Sequence, residues 1–207
     1  MEKIWVVLQK KMKLETKTSK LYYGFPVILI GYKDKKWKYN VTACSSSYSL
    51  GDMITVGLTT DSNAVDNIKE YGEFTVNVPC QQILSKVEIA GFHSGQNKIG
   101  MADMTYDPAK YIDAPIMDEC ILSLECKVEN ISEYGKYTNF VASIKRRVVC
   151  ENLLDEDGNM QYTQFNPIYF MGDDNKRVYR YFNEVSKNHG ENMGCSSEED
   201  EYNPLCG

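Results

Sequence analysis

Two stretches of this sequence alternate apolar and polar residues, and this alternation restricts the possible folds more than any other feature. In residues 120–128, apolar side chains recur at every second position: Cys120, Leu122, Leu124, Cys126 and Val128. The positions between them carry the polar side chains Ser123, Glu125 and Lys127. Residues 140–149 alternate in a similar way. Because successive side chains of a strand point to opposite faces, both stretches predict β-strands with one buried face.

Further strands are predicted along the rest of the chain. Residues 26–32 form a continuous apolar, β-branched run, which is typical of a strand covered on both faces. Residues 53–59 and 73–78 also read as strands, and residues 160–183 hold more aromatic, strand-like sequence. We count roughly seven strands in total.

Helices are short and few. Residues 62–71 predict a helix that Ser62 caps and Gly72 ends, and residues 81–90 predict a second one. Residues 91–117 are rich in loops, and a loop region of that length is often functional. Helices follow strands too rarely for a regular βαβ sheet. The prediction is therefore a mainly β fold, an antiparallel barrel with helical excursions.

The charge distribution divides the chain and excludes one class of partner. The net charge is −6, and residues 189–207 carry five acidic residues and no Lys or Arg. The remaining body is nearly neutral, so it lacks the clustered basic residues that bind nucleic acid. We expect an N-terminal extension over residues 1–20, one domain over 21–186, and an acidic, disordered tail over 187–207.

The cysteines and the hydropathy pattern indicate a cytoplasmic protein. The seven Cys residues are odd in number and include no C-x-x-C pair, so we expect reduced thiols. The two histidines, His93 and His189, do not stand at metal-ligand spacing from a Cys pair, and no metal site is predicted. No apolar stretch reaches the roughly 20 residues that span a bilayer, and residues 1–8 do not read as a signal peptide. We expect no membrane partner.

No pattern of catalytic side chains stands out. The sequence contains no G-x-S-x-G, P-loop or G-x-G-x-x-G motif. A Ser-His-Asp triad would need His93 or His189, and neither has a supporting local signature. The carboxylates Glu119 and Glu125 are interpreted as solvated strand-edge residues. We therefore name no catalytic residue.

Two segments could bind an anion or a flat heterocycle. Residues 40–47 end a strand in small residues with exposed N–H and hydroxyl groups, and Thr59, Thr60 and Ser62 end another strand at a helix start. A helix N-terminus favours phosphate. The segments would lie side by side if strands 38–44 and 53–59 pair. The alternative is that the serines are ordinary loop residues and that Ser62 only caps its helix.

Several motifs in order resemble the flavin reductase-like family. They are YYGFPVILI at 22–30, NVTACSSSYSLG at 40–51, Gly57-Leu58 followed by Ser62 and Asn67-Ile68, GEFTVNV at 72–78, and Ser94-Gly95 with Lys98. The resemblance covers roughly residues 21–170 and implies an FMN-binding split β-barrel of the antiparallel Greek-key type. It also implies a homodimer with FMN near the subunit interface.

The resemblance implies a set of FMN contacts: Thr42, Ala43, Cys44, Ser45, Ser46, Ser47, Thr59, Thr60, Ser62, Asn63 and Lys98. By position, the backbone of residues 42–46 would face the flavin ring. Ser45, Ser46, Ser62 and Asn63 would be phosphate candidates, and Lys98 would add a point charge. One departure stands out. Many relatives carry a Lys or Arg and then a Thr where this chain has Asn63 and Ala64, which would weaken phosphate binding.

The implied function is an FMN-binding oxidoreductase of the flavin reductase or flavoredoxin type. NADH or NADPH would give a hydride to the flavin, and the flavin would pass electrons to an acceptor. No side-chain acid or base is required. The alternative is a flavin- or ligand-binding barrel without turnover. Cys44, in the ring-binding segment, is either a redox group or a small buried residue.

Overall fold

A computed structural model describes residues 13–182, which form twelve β-strands and three α-helices. The strands are β1 Leu21–Pro26, β2 Ile28–Asp34, β3 Lys38–Cys44, β4 Ser47–Leu50, β5 Met53–Thr59, β6 Glu73–Val78, β7 Tyr106–Pro108, β8 Pro115–Met117, β9 Leu122–Tyr134, β10 Tyr137–Val149, β11 Tyr169–Asp173 and β12 Arg177–Arg180. The helices are α1 Asn63–Tyr71, α2 Leu84–Phe92 and α3 Lys98–Met101. The predictions for residues 1–12 and for the acidic tail lie outside the described residues.

Seven strands form one antiparallel sheet in the order β3-β2-β6-β9-β10-β5-β4. The edge strands β3 and β4 are consecutive in the chain and only Ser45 and Ser46 separate them, so the sheet must curl until its two edges approach each other. No hydrogen-bonded ladder joins β3 to β4 or β5 among the described strands, and the barrel stays split. The predicted mainly β, antiparallel split-barrel class is confirmed.

Strands 38–44 and 53–59 do not pair, so the condition under which the two anion-binding segments would lie side by side is not met. β3 pairs with β2 in a local hairpin, and β5 pairs with β10 and β4. The two segments nevertheless meet at the split. The Gly57 N–H donates to the Ser46 carbonyl at 2.8 Å, and the Cys44 thiol lies 3.4 Å from the Gly57 carbonyl oxygen. The predicted neighbours therefore come together through the curl of the sheet and not through a ladder.

The apolar run at 26–32 is buried on both faces because β2 lies between two cores. Ile30 and Tyr32 face the barrel interior with Phe74 and Phe140, whose ring centroids are 6.5 Å apart. Leu29 faces a second core that lies under α2 and α3. Burying a large apolar side chain on either face contributes roughly 1.5–3 kcal/mol, so this central strand stabilises both layers.

Helix α1 begins and ends as its sequence predicts. The Ser62 hydroxyl accepts a hydrogen bond from the Val65 N–H, and Gly72 follows the helix with φ of 70°, in the left-handed region that glycine favours. Val65 and Ile68 point into the barrel and are fully buried. The helix therefore covers one mouth of the barrel and presents its N-terminus at the split.

The alternation at 120–128 correctly predicts a strand. The interpretation of Glu125 as a solvated strand-edge residue is wrong. The Glu125 carboxylate is fully buried. It accepts hydrogen bonds from the Lys110 and Tyr111 backbone N–H groups at 3.1 and 2.7 Å and from Arg146 at 3.0 Å. The loop before β8 covers this face of the sheet, which the strand's own pattern does not reveal. The Glu119 carboxylate also has a partner: it forms an ion pair with the Lys86 ammonium at 2.7 Å.

Smaller elements complete the described chain. β1, β11 and β12 form a three-stranded sheet, and β7 pairs with β8. The loop-rich stretch 91–117 contains α3 and the β7–β8 pair, both too short for a clear periodic signal. Among residues 13–182, no helix has the length and hydropathy needed to cross a membrane, and no cluster of three or more His, Cys, Asp or Glu side chains is arranged to hold a metal ion.

Candidate functional site

Two adjoining cavities open where the barrel is split. The first, which we call the polar cavity, measures about 330 Å³ and is lined by Thr42, Ala43, Leu58, Thr59, Asp61, Ser62, Asn63, Ala64, Gly91, His93, Ser94, Gly95 and Lys98. The second, the apolar cleft, measures about 290 Å³ and is lined by Val27, Ala43, Cys44, Ser45, Val87, Glu88, Gly91, Phe92, Phe170, Arg177 and Tyr179. Ala43 and Gly91 belong to both, so the cavities are neighbours along the end of β3.

The boundary between the cavities is built from the two smallest side chains. Gly91 on α2 faces Ala43 on β3, and a Cβ atom placed on Gly91 would lie 3.4 Å from the Ala43 Cβ. An alanine at position 91 would just fit, whereas a larger side chain would fill the space between the cavities. The site is therefore open to one elongated ligand with a polar end and an apolar end.

The N-terminus of α1 supplies hydrogen-bond donors to the polar cavity. The Val65 N–H is taken by the Ser62 hydroxyl and the Asp66 N–H by the Ser62 carbonyl. The N–H groups of Asn63 and Ala64 have no acceptor among residues 13–182, as expected in the first turn of a helix. Free N–H donors and the positive end of the helix dipole favour an anion at this point.

Lys98 supplies a positive charge to the same cavity. Its side chain is only 5% exposed, yet within the described part of the chain its ammonium group makes no ion pair or hydrogen bond. Burial lowers the pKa of Lys98 to about 8, and the nearby Asp34 carboxylate opposes that effect. A largely buried lysine that lines a cavity and whose ammonium has no partner there is suited to an anionic ligand.

Asn40, fully buried in β3, holds Lys98 in place. Its Oδ1 accepts hydrogen bonds from the backbone N–H groups of Val41 and Lys98 at 3.0 and 3.1 Å. Its Nδ2 donates to the Gln96 carbonyl at 2.9 Å. One strand side chain thus fixes the start of α3 and hence the position of the Lys98 backbone.

Asp34 determines the orientation of the Asn63 side chain. Its carboxylate accepts from the Asn63 Nδ2 at 2.8 Å and from the Asn40 Nδ2 at 3.3 Å. Burial would raise the pKa of Asp34, but the hydrogen bonds from the Lys36 N–H and from these amides outweigh it and hold the pKa below its usual value. Asp34 is therefore ionised. The Asn63 Nδ2 group donates to Asp34 and to the Tyr32 hydroxyl, so the backbone N–H is the Asn63 donor that is free to meet a ligand.

The Cys44 thiol stabilises the corner that follows β3. Its sulfur accepts a hydrogen bond from the Ser46 N–H at 3.3 Å and lies against the Gly57 carbonyl. Burial raises the pKa of Cys44 to about 11, and the hydrogen bonds to Ser46 and Gly57 only partly offset it. The thiol is thus protonated at neutral pH, which favours the small buried residue over the redox group of the two alternatives.

Comparison with known proteins identifies the family. Residues 22–179 match the model of the flavin reductase like domain. The chain belongs to this family. The match includes the strands that form the split barrel, α1 and both cavity linings, so the candidate site lies within the family's domain.

Solved structures share the fold of this chain, and relatives share part of its sequence. The flavoredoxin of Desulfovibrio vulgaris (Miyazaki F) is 25% identical with a TM-score of 0.77, over 86% of this chain and 97% of that one. An FMN-binding protein from Thermus thermophilus, solved with bound 1-cyclohex-2-enone, shares the fold at 16% identity and a TM-score of 0.70, over 87% and 99% of the two chains. A Pyrococcus abyssi protein is 34% identical over 77 residues, and the match spans 37% of this chain and 45% of that relative.

The structure places most, but not all, of the predicted FMN contacts of this flavin reductase-like chain in the lining of the two cavities. Those that line the polar cavity are Thr42, Ala43, Thr59, Ser62, Asn63 and Lys98. Those that line the apolar cleft are Ala43, Cys44 and Ser45. Three line neither cavity: Ser46, Ser47 and Thr60. The Thr60 hydroxyl instead lies 3.0 Å from the Thr138 hydroxyl, and Ser47 begins β4.

Sequence reasoning missed several lining residues. Gly91 and His93 lie at the end of α2, where the long loop region was a general signal of function, and the Ser94-Gly95 pair was only a motif of the resemblance and not a predicted contact. The aromatic and charged residues that line the apolar cleft have no sequence pattern that indicates a functional role. Arg177 and Tyr179 reach the cleft from β12, far along the chain, and only the tertiary fold brings them there.

Proposed function

We propose that this protein binds FMN and acts as an NAD(P)H-dependent oxidoreductase of the flavin reductase or flavoredoxin type. The observation that carries the proposal is Lys98, a largely buried residue that lines the polar cavity and whose ammonium makes no ion pair or hydrogen bond among residues 13–182, together with the free N–H groups at the start of α1. Membership of the flavin reductase-like family and the likeness to a flavoredoxin and an FMN-binding protein support the choice of ligand.

The shape and polarity of the two cavities fit FMN. The phosphate would lie in the polar cavity, held by Lys98 and by the N–H groups of Asn63 and Ala64. The flavin ring would extend past Ala43 into the apolar cleft, whose aromatic walls suit a flat heterocycle. Ser46, Ser47 and Thr60 remain proposed contacts, reachable only through a part of the ligand outside the two cavities.

When bound, FMN supplies the chemistry by accepting a hydride from NADH or NADPH, which leaves as the oxidised nicotinamide, and by passing two electrons to an acceptor. The residues of the chain would bind the FMN and orient its ring. Backbone groups of Ala43, Cys44 and Ser45 would face the ring, and apolar side chains such as Val27 and Val87 would exclude water from the cleft. No side-chain acid or base is assigned.

We propose that the protein is a homodimer. Tyr48 and Leu50 on β4 are 57% and 68% exposed, and the outer edge of β4 has no partner strand among the described residues. An exposed apolar edge of this kind is usually covered. Light scattering coupled to gel filtration should give about twice the chain mass of 23.7 kDa. A single-chain mass at micromolar concentration would contradict the dimer.

The first experiment on the function is the visible spectrum of the protein after incubation with FMN and gel filtration. We expect a flavin spectrum that co-elutes with the protein and that bleaches when NADH or NADPH is added without oxygen. A protein that retains no FMN and does not oxidise either donor with free FMN present would contradict the proposal.

A non-catalytic flavin-binding module is the second candidate, and one observation favours it. The Asn63 side chain stands where many relatives carry a cation, and here it donates to Asp34 and not to the cavity. The phosphate end therefore has one cation, Lys98, among the described lining residues. Retention of FMN without bleaching by either nicotinamide would support this candidate over the enzyme.

A further inference from the structure

The apolar cleft carries two charged side chains on different walls. Arg177 reaches it from β12 and Glu88 from α2, and they are the charged members of its described lining. Neither makes an ion pair within residues 13–182. The other lining residues are mainly apolar or aromatic, so these two side chains are the charges next to any ligand in the cleft.

Arg177 is held in position by the turn that precedes it. The Asp173 carboxylate accepts hydrogen bonds from the N–H groups of Asn175 and Lys176 at 2.8 and 3.0 Å, which orders the β11–β12 turn. The Arg177 Nε then donates to the Asp173 carbonyl at 3.3 Å, and its guanidinium carbon lies 5.9 Å from the centre of the Tyr22 ring. The guanidinium is thus an anchored charge.

Strand geometry aims Arg177 at the cleft and gives a matched residue that is aimed elsewhere. Arg177 and Tyr179 are two positions apart on β12, so they share a face, and both line the cleft. Arg180 is three positions from Arg177, lies on the opposite face, and lines neither cavity. The chain therefore offers two arginines on one strand that differ in whether they face the cleft.

We propose that Arg177 and Glu88 set the reduction potential of the flavin bound in the cleft, and that they act in opposite directions. This inference rests on the proposed function. Hydride transfer adds two electrons and one proton to the ring, so the ring gains one negative charge. A cation beside the ring stabilises the reduced form more than the oxidised form, and an anion does the reverse.

The experiment measures the potential of bound FMN by equilibration with reference dyes in wild type, Arg177→Met, Glu88→Gln and the control Arg180→Met. We expect Arg177→Met to shift the ratio of reduced to oxidised FMN affinity about tenfold toward the oxidised form, which lowers the two-electron potential by about 30 mV. Glu88→Gln should raise the potential. Arg180→Met removes the same charge and should leave it unchanged. The Arg177 effect should shrink in high salt, because Arg177 is exposed.

Four results would overturn the inference. An unchanged potential in Arg177→Met, with FMN still bound, would remove Arg177 from this role. Equal shifts in Arg177→Met and Arg180→Met would show an effect of net charge alone. An unchanged potential with a raised KM for an anionic second substrate would make Arg177 a substrate-binding residue instead. Wild-type protein that retains no FMN would overturn the inference, because no flavin would rest in the cleft; if it also failed to oxidise NADH or NADPH with free FMN present, the proposed function would fail as well.

Discussion

Replacing Lys98 by methionine tests the phosphate end of the site most directly. Methionine keeps the length and apolar stem of the side chain and removes its charge. A hydrogen bond to a charged group contributes about 1.5–3 kcal/mol, so FMN affinity should fall about 10- to 150-fold. Because Lys98 is largely buried and its ammonium has no partner in the described structure, removal of the charge should leave the free energy of unfolding unchanged or raise it.

The assay is the quenching of flavin fluorescence on titration, performed with FMN and with riboflavin. Riboflavin lacks the phosphate, so its affinity should change less than about twofold in Lys98→Met. The control variant is Lys127→Met, which removes the same charge from an exposed position on β9. It should leave both affinities as in wild type.

One result would refute the reasoning about the polar cavity. If Lys98→Met weakened FMN and riboflavin equally, with thermal stability intact, Lys98 would act on the ring or on the shape of the site and not on the phosphate. An unchanged FMN affinity would place the phosphate away from Lys98 altogether.

Three further expectations follow from the same contacts. The Kd of FMN should rise as pH increases through about 8, where Lys98 loses its proton, by up to about tenfold per pH unit, while the Kd of riboflavin stays flat in the same titration. Asn40→Ala should lower the free energy of unfolding by about 2–4 kcal/mol in urea melts, because it leaves the buried N–H groups of Val41 and Lys98 without acceptors. Gly91→Leu should weaken FMN binding about tenfold or more by filling the space beside Ala43, whereas Gly91→Ala should bind FMN normally; equal affinities in both variants would contradict a ligand that extends through both cavities.

Local chemistry explains which elements the sequence predicts well. The bounds of β5 and β6 match residues 53–59 and 73–78, and α1 starts after Ser62 and stops before Gly72. A capping hydroxyl and a left-handed glycine act within one helical turn, so a short window of sequence contains all the information that is needed.

Long-range packing explains what the sequence does not predict. The partner of β3 depends on how a seven-stranded sheet curls, and neither strand 38–44 nor strand 53–59 encodes that curl by itself. Glu125 lies on the polar face of an alternating strand, where exposure is expected. A loop that comes earlier in the chain covers it and donates two backbone N–H groups to its carboxylate. Alternation reports which residues share a face, but it does not report whether a second layer covers the polar face.

In the candidate site, too, residues marked by local features could be predicted and residues placed by tertiary packing could not. Ser62 and the small residues at the end of β3 were recognisable from a strand end and a helix start that are local features. Lys98 carried no local signal and came only from the family resemblance. Phe170, Arg177 and Tyr179 belong to a hairpin that reaches the cleft through tertiary packing, so no pattern in their own neighbourhood marks them as site residues.

The hydrogen bonds of Asn40 have a consequence for how the molecule opens. Through this one side chain, β3 is tied to the start of α3 and, by way of Asp34, to α1. These three elements therefore have to separate together before any of them exposes its backbone, so they form one cooperative opening unit. A ligand that binds only the closed form raises the free energy of that opening by about 2.7 kcal/mol at a hundred times its Kd. Amide hydrogen exchange in α1 and at Lys98 would then fall in step as FMN is added, although the two regions lie far apart in the sequence.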